Sequence, residues 1–289
     1  MASSPGPGRS LLFMPGTNQR AMVKARGLDA DGIILDMEDS VAPGQKGAAR
    51  ELIAAALAEG GFGEREVVVR VNGLDSAWIE DDLQALLANP PDAVLIPKIY
   101  GPEDLNRLGQ AMDDLGFPKD VSVWAMMETP AAILDAREIA ATGGRLACLV
   151  MGTNDLAKDL KARLLPGRAS MFASLSLCLL AARAAGTGIL DGVYGDLSDA
   201  AGFLSECRQG RELGFDGKTL IHPDQIAVAN EIFGPSAEEV SEAREIIAAF
   251  EAAEAEGKAV TTLRGKMIEE LHAASARRTL DMASRLQRP

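Results

Sequence analysis

Cysteine, histidine and aromatic side chains are scarce in this chain of 289 residues: three Cys, two His, and Phe, Trp and Tyr together at 4%. Cys148, Cys178 and Cys207 are widely separated, odd in number and form no CxxC pair. That pattern speaks against a disulfide framework and a structural zinc site, and the three read as buried thiols. His222 and His272 belong to no Ser/His/Asp or Cys/His set, which argues against nucleophilic hydrolysis. His222, before a proline, reads as a structural residue and His272 as solvated on the last helix. No apolar run approaches the roughly 20 residues a membrane helix requires. No GxGxxG follows the first predicted strand and no GxxxxGK[ST] occurs, so dinucleotide and P-loop folds lose support. Positive charge is also in deficit. The formal net charge of −13 opposes nucleic acid as a main partner.

What is present is globular material, 47% hydrophobic and 25% charged. The negative field still permits a small anionic ligand in a local basic pocket, for which Arg9, Arg20, Lys24, Arg70 and Lys98 are candidates. The opening MASSPGPG leads into an apolar run at 11–13 that is too short for a signal-peptide core, so a cytoplasmic protein is expected.

Apolar runs of strand length recur at 11–14, 32–35, 67–71, 93–96, 121–125, 146–151, 189–193 and 218–221. Helical periodicity or helix signals fill the intervals 19–27, 47–59, 76–87, 102–115, 130–141, 156–185 and 199–213. Strict alternation, with runs too continuously apolar to be half-exposed, predicts a parallel sheet covered by helices. Eight repeats favour an α/β fold of the closed (β/α)8 TIM-barrel type over an open sheet. We expect the barrel to occupy residues 1–233, with 223–233 as its eighth helix. Residues 234–289 form a C-terminal helical extension: a capping box at Ser236 and Glu239, a long helix to about Gly257, an extended piece at 260–263, a turn at Gly265 and a last helix over 266–286. This arm is expected to reach over a barrel mouth, that of a neighbouring subunit.

Active groups of such barrels come from the C-terminal strand ends. The residues there are unusually polar: Asp36, Glu38, Asp39, Arg70, Asn72, Lys98, Glu128, Asp155, Tyr194, Asp196 and His222. Glu128 and Asp155, on neighbouring strands, could fill two positions of an octahedral Mg2+. The alternative is that each carboxylate serves a helix N-terminus. Arg70 could grip a substrate carboxylate with its fork, or form an ion pair with Asp36 or Glu38. Alternation along a strand favours Glu38 for chemistry, with Asp36 in support and Asp39 as a solvated loop acid. Lys98 could balance this charge, meet an oxyanion, or be a surface lysine.

Taken together, these residues resemble the citrate lyase beta-subunit and malyl-CoA/citramalyl-CoA lyase family, within the metal-dependent aldolases and citrate lyases. The resemblance runs nearly end to end. It comprises RSLLFMPG at 9–16, GIILDMEDSVAPGQK at 32–46 with Arg50, VVVRVN at 67–72, VLIPK at 94–98, MMETP at 126–130, GTNDLAKDL at 152–160, DGVYGDLSDAAGF at 191–203, GFDGKTLIHPDQI at 214–226 and GKMIEELH at 265–272.

The resemblance implies a Mg2+-dependent barrel enzyme, a homotrimer or hexamer, acting on the CoA thioester of a hydroxy acid. It would reversibly cleave a malyl-CoA, citramalyl-CoA or citryl thioester to an acyl-CoA and a 2-oxo acid. Glu128 and Asp155 would hold the metal and Arg70 the 2-oxo-acid carboxylate, with Glu38 nearby and Lys98 and Asp36 lining the substrate site. Arg20 and Lys24 could meet CoA phosphates, or form a solvated basic helix face. An acid–base aspartate after a GxMI pattern would come from a neighbouring subunit. Here Gly265-Lys266-Met267-Ile268 is followed by Glu269, one methylene longer, or else a plain helix N-terminal acid. Two alternative expectations are a metal-dependent aldolase on free hydroxy acids and a citrate lyase beta subunit acting on an acyl-carrier thioester.

Overall fold

A strand that is apolar on both faces must be covered on both faces, which a closed parallel barrel ringed by helices achieves. In the computed structural model, which describes residues 7–286, eight strands do this. They are β1 (Ser10–Pro15), β2 (Gly32–Asp36), β3 (Glu66–Arg70), β4 (Ala93–Ile96), β5 (Ser122–Met127), β6 (Leu146–Met151), β7 (Gly188–Asp191) and β8 (Gly217–Leu220). Each pairs in parallel with its successor, and β1 also pairs with β8, closing the barrel. Leu11, Ile34, Val68, Leu95, Trp124, Met126, Cys148, Val150 and Leu190 form the buried core. All three cysteines are buried free thiols. Gly16, following β1, donates its N–H to Asp36 O at 2.9 Å. A Cβ there would lie 2.6 Å from that same oxygen, so only glycine allows the approach.

The helices around the barrel are α1 (Gln19–Ala25), α2 (Lys46–Glu59), α3 (Ile79–Leu86), α4 (Pro102–Leu115), α5 (Pro130–Leu134), α6 (Ala136–Ala140), α7 (Thr153–Asp159), α8 (Phe172–Ala185), α9 (Ala200–Leu213) and α10 (Ile226–Phe233). Two expected helices are each divided. The segment 130–141 breaks at Asp135, whose φ of −96° and ψ of 16° end α5 and begin α6. The segment 156–185 becomes α7 and α8 with an irregular stretch at 160–171, because Pro166-Gly167 cannot continue a helix and Lys161 and Arg168 take positive φ. Among the described residues no helix is long and apolar enough to cross a membrane.

Arg168 returns this irregular stretch to the barrel. Its Nη1 lies 2.7 Å from Asp191 Oδ1, and Lys218 Nζ lies 3.0 Å from Asp191 Oδ2 and 2.8 Å from Glu206 Oε1 on α9. Asp191 and Lys218 are wholly buried.

The described residues divide into two compact units between Asn230 and Glu231, slightly before the expected division after residue 233. In the C-terminal unit, α11 (Ala237–Ala255) opens with the expected capping box: Ser236 Oγ accepts from Glu239 N at 3.1 Å, and Glu239 Oε2 accepts from Ser236 N at 2.7 Å. The last helix begins later than expected. Lys266–Ile268 is a strand, β10, paired antiparallel with β9 (Thr261–Leu263), and α12 spans Glu270–Leu286. Arg264 and Gly265 both have positive φ, the conformation of a tight two-residue hairpin turn. Ile268 is buried with Phe250 and Ala273, so the apolar pair Met267-Ile268 belongs to a hairpin and not to a helix.

Removing one partner of a buried ion pair leaves an uncompensated charge. Replacement of Lys218 by Met is expected to lower barrel stability by about 3–5 kcal/mol, read from the urea midpoint. A loss below about 1 kcal/mol would show that Arg168 alone suffices to hold Asp191.

Candidate active site

Parallel pairing brings β-strand ends together as register neighbours. Asp36 pairs with Arg70 across β2 and β3, and their side chains meet as a bidentate fork. Arg70 Nε donates to Asp36 Oδ1 and Nη2 to Asp36 Oδ2, both at 2.7 Å. The same two oxygens accept the Glu38 and Ser40 N–H groups at 2.9 and 3.1 Å. Every carboxylate lone pair is then engaged. Asp36 thereby orients Arg70, and it also lines the cavity at the barrel mouth. Burial opposes charge on Asp36, but Arg70 and these N–H donors hold its carboxyl below the usual range. Burial likewise opposes charge on Arg70, and the Asp36 bond and the Glu38 charge outweigh it.

The guanidinium lies 4.8 Å over the Phe13 ring, and its Nη1 reaches Glu38 Oε2 at 3.2 Å. The Nε/Nη2 edge is occupied, so a substrate carboxylate would meet the Nη1 side. Glu38 is buried and also bonded by Lys98 Nζ. Burial lifts its carboxyl above the ordinary carboxylate value despite both cations. Asp39 is more exposed, as expected of a loop acid, yet it accepts from Lys98 Nζ at 3.1 Å and is not simply solvated.

Glu128 and Asp155 follow β5 and β6. The helix cap after β5 is Thr129, whose side chain accepts from Ala132 N at 3.1 Å, so Glu128 is not spent on capping. Its Oε1 accepts the Lys98 N–H at 2.8 Å. Its Oε2 lies over Gly152, where an added Cβ would be 2.4 Å away, so this glycine leaves the space the carboxylate fills. Burial pushes the Glu128 carboxyl up to about 7, against the pull of the Lys98 N–H and Arg70. Asp155 stands half-buried in the first turn of α7, and among the described residues nothing bonds it. The unspent donors are therefore carboxylate oxygens, the hard ligands that Mg2+ favours. Among the described residues no cluster of three or more Asp, Glu, His or Cys side chains could hold a metal. A cation on Glu128 and Asp155 would leave its other positions to water or substrate.

Phe13, Asp36, Asp39, Arg70, Glu128, Gly152, Asp155, Thr219 and others enclose a cavity of about 380 Å3. Asp39 is shared with a second cavity of about 500 Å3, lined by Glu38, Lys46, Asn72, Trp78, Lys98 and Tyr100 among others. Other candidates lie elsewhere. Arg9 precedes β1 at the opposite end of the barrel and pairs with Asp31 at 2.8 Å, so it is not part of a basic pocket at the mouth. Arg20 and Lys24 are exposed on α1 and line neither cavity. Tyr194 OH donates to Asp199 at 2.8 Å, and His222 caps a short 3-10 turn by accepting from Asp224 N. Glu269 immediately precedes α12, its carbonyl accepting from His272 N at 2.9 Å. His272 is half-buried and not solvated, because its Nδ1 accepts the Glu269 N–H.

Sequence reasoning missed Lys46 as a separate element of the site. It is buried, donates to Met37 O and Glu38 O at 2.8 Å, and packs over Trp78. It also missed Asp82, fully buried on α3, which accepts from Asn72 N and Nδ2 and from Arg50 Nε. A charged residue on the inner face of an amphipathic helix was the available signal for Asp82.

A parallel barrel whose mouth holds free carboxylates beside a pinned arginine has the layout of a barrel carbon–carbon lyase, and residues 170–285 match the C-C bond lyases of the TIM-barrel fold. Residues 9–223 match the HpcH/HpaI aldolase/citrate lyase family, and the chain belongs to that family of carbon–carbon lyase enzymes. A (3S)-malyl-CoA thioesterase of Cereibacter sphaeroides is 49% identical over 283 residues, 98% of this chain and 97% of that protein. The citrate lyase subunit beta of Escherichia coli is 37% identical, covering 90% of this chain and 88% of its own. The structure of CitE from Mycobacterium tuberculosis in complex with magnesium, acetoacetate and coenzyme A superposes with a TM-score of 0.78 at 30% identity, covering 96% and 98% of the two chains.

The raised Glu128 carboxyl sets a pH dependence in metal-free protein. With a folded value of about 7 against an ordinary value of 4.5, folding favours the protonated form, so stability falls as pH rises through that window and then levels. In chelator-treated protein, Glu128→Gln is expected to match the wild type near pH 5 and to exceed it by about 1–3 kcal/mol near pH 8. Equal stability at both pH values in denaturant titrations would rule this out.

Proposed function

We propose that the enzyme is a Mg2+-dependent lyase of 3-hydroxyacyl-CoA thioesters of the malyl, citramalyl or citryl type. The observation that carries this reading is the pair of unspent carboxylates, Glu128 and Asp155, in one cavity with the pinned Arg70. The CitE neighbour, in complex with magnesium, acetoacetate and coenzyme A, supports the ligand classes.

The bond broken joins the hydroxyl-bearing carbon to the carbon α to the thioester. The hydroxyl gives up its proton and its oxygen becomes the keto oxygen of a 2-oxo acid. The bonding pair passes to the thioester as an enolate, whose carbon then takes a proton to give the acyl-CoA. When bound by Glu128 and Asp155, Mg2+ supplies Lewis-acid polarisation of the substrate oxygens. Arg70 faces a substrate carboxylate with its Nη1 side, held in orientation by Asp36. Glu38, between Arg70 and Lys98, lines the second cavity, which shares Asp39 with the first. We assign the proton returned to the enolate carbon to Glu269 from a neighbouring subunit of a cytoplasmic homotrimer, and contacts to CoA phosphates to Arg20 and Lys24.

A second reading is favoured by the full-length relative named as a (3S)-malyl-CoA thioesterase. In that reaction water attacks the thioester carbonyl and free CoA leaves. Incubating the chain with malyl-CoA and Mg2+ separates the two: acetyl-CoA plus glyoxylate reports carbon–carbon cleavage, malate plus free CoA reports hydrolysis. Turnover of free hydroxy acids in place of the thioester would instead support an aldolase, and a requirement for an acyl-carrier protein a citrate lyase beta subunit. No turnover of any malyl, citramalyl or citryl thioester would sink the proposal.

Chelation is expected to abolish activity and added Mg2+ to restore it. Asp155→Asn should lower kcat/KM by about 100- to 1,000-fold, the scale of losing one electrostatic group at a developing charge. Glu269→Ala should lower kcat with little change in KM, with partial recovery in Glu269→Asp.

A further inference from the structure

Lys98 joins two demands that are ordinarily met by different residues. Its φ is +51°, the left-handed region that L side chains disfavour, and it is one of four non-glycine residues with positive φ among those described. That backbone turn delivers its N–H to Glu128 Oε1 at 2.8 Å. At the next position the Ile99 carbonyl accepts from Thr129 Oγ1 at 2.8 Å, so residues 98–99 and 128–129 are tied together twice. The Lys98 side chain meanwhile leaves in another direction, where Nζ bonds Glu38 and Asp39. Glycine would satisfy the backbone at no steric cost but lacks the ammonium; an unstrained lysine would keep the ammonium but misdirect the N–H. A strained conformation persists where the surroundings over-determine it, and here both ends of the residue are held.

We propose that Lys98 is a positioning residue whose left-handed backbone fixes Glu128 by Oε1, leaving Oε2 as the oxygen offered to a divalent cation. The side chain has a separate task, holding Glu38 against Arg70. Gly152 forms the opposite wall, since a Cβ at that position would lie 2.4 Å from Oε2. Lys98 thus links the Glu128 carboxylate to the Asp36–Arg70–Glu38 cluster without touching substrate. This inference rests on the reading of Glu128 as a cation ligand.

The backbone and side-chain tasks separate in a series at one position. Lys98→Gly, Lys98→Asn and Lys98→Val all lose the ammonium, but Gly and Asn accept the left-handed conformation and β-branched Val does not. Mn2+ binding to the full chain, followed by electron paramagnetic resonance, is expected to stay within about threefold of wild type in the Gly and Asn variants and to weaken more than tenfold in Val. Lys98→Ala should fall between, and it serves in place of Val if Val does not fold by circular dichroism. All four should lose kcat through the freed Glu38. Equal weakening in every variant would assign the effect to the ammonium and overturn the proposal, as would wild-type affinity in both Ala and Val. A wild type that binds no Mn2+ would overturn the metal reading itself and this inference with it, an outcome distinct from the other two.

Discussion

Closure of eight parallel strands is the constraint on which the site depends. Because β1 pairs with both β2 and β8, no strand can reverse or slip without opening the barrel, and every C-terminal end emerges at one mouth. Adjacent strand ends then become chemical partners. Asp36 at the end of β2 is the register partner of Arg70 on β3, which is why the pair is bidentate and buried. Lys98 follows β4 and Glu128 follows β5, and the strand pairing between them brings the Lys98 N–H to the carboxylate. Glu128 and Gly152 stand in the same relation across β5 and β6.

The barrel carries two buried ionic clusters of different character. Arg168, Asp191, Lys218 and Glu206 bring two cations to two anions, and the geometry is self-contained. At the mouth, Asp36, Glu38, Asp39, Glu128 and Asp155 face Arg70, Lys98 and Lys46, five potential anions against three cations. A buried carboxylate without a counter-charge is costly, and burial, with the Asp155 and Glu38 charges, raises the Glu128 carboxyl to about 7 against the Lys98 N–H and Arg70. The imbalance is therefore informative: the first cluster is balanced in charge, whereas the second calls for further positive charge. An anionic substrate would face repulsion there until a cation compensates, so the electrostatics favour metal before acid.

The alternation of apolar runs and helical segments made the barrel legible in the sequence, because a parallel sheet buried on both faces leaves continuous hydrophobic runs. Strand ends were legible for the same reason, and with them Arg70, Glu128 and Asp155. What a one-dimensional pattern does not record is how a side chain divides its bonds. For Arg70 the sequence left a grip on substrate and an ion pair with Asp36 or Glu38 both open, and only the folded structure shows that one edge of its fork belongs to Asp36. Lys98 was visible as a charge, but its contribution through a backbone N–H depends on a φ of +51° that no residue type signals. Gly152 stood in plain view within GTNDLAKDL, and only its distance from Glu128 gives it meaning. Of the C-terminal hairpin, the extended piece at 260–263 and the turn at Gly265 were legible, but β10 was lost because Met267 and Ile268 fit the helical period of the segment that follows.

Cleavage and hydrolysis of the same thioester place nearly the same demands on this mouth. Both require negative charge to be stabilised as it develops on oxygen, and both require the acid's carboxylate to be held away from the thioester. On the proposed reading, Arg70, Glu128 and Asp155 would answer those demands without distinguishing between them. The two reactions part at the next atom: cleavage must deliver a proton to an enolate carbon and keep water out, while hydrolysis must admit water to the carbonyl. On the proposed reading the choice falls to the residue that reaches the acyl carbon, and Glu269 carries its carboxylate one methylene further than the aspartate the family pattern would place there. On that reading the barrel mouth is nearly neutral between outcomes and the choice falls to Glu269, which would let one family hold both citrate lyase beta subunits and a malyl-CoA thioesterase.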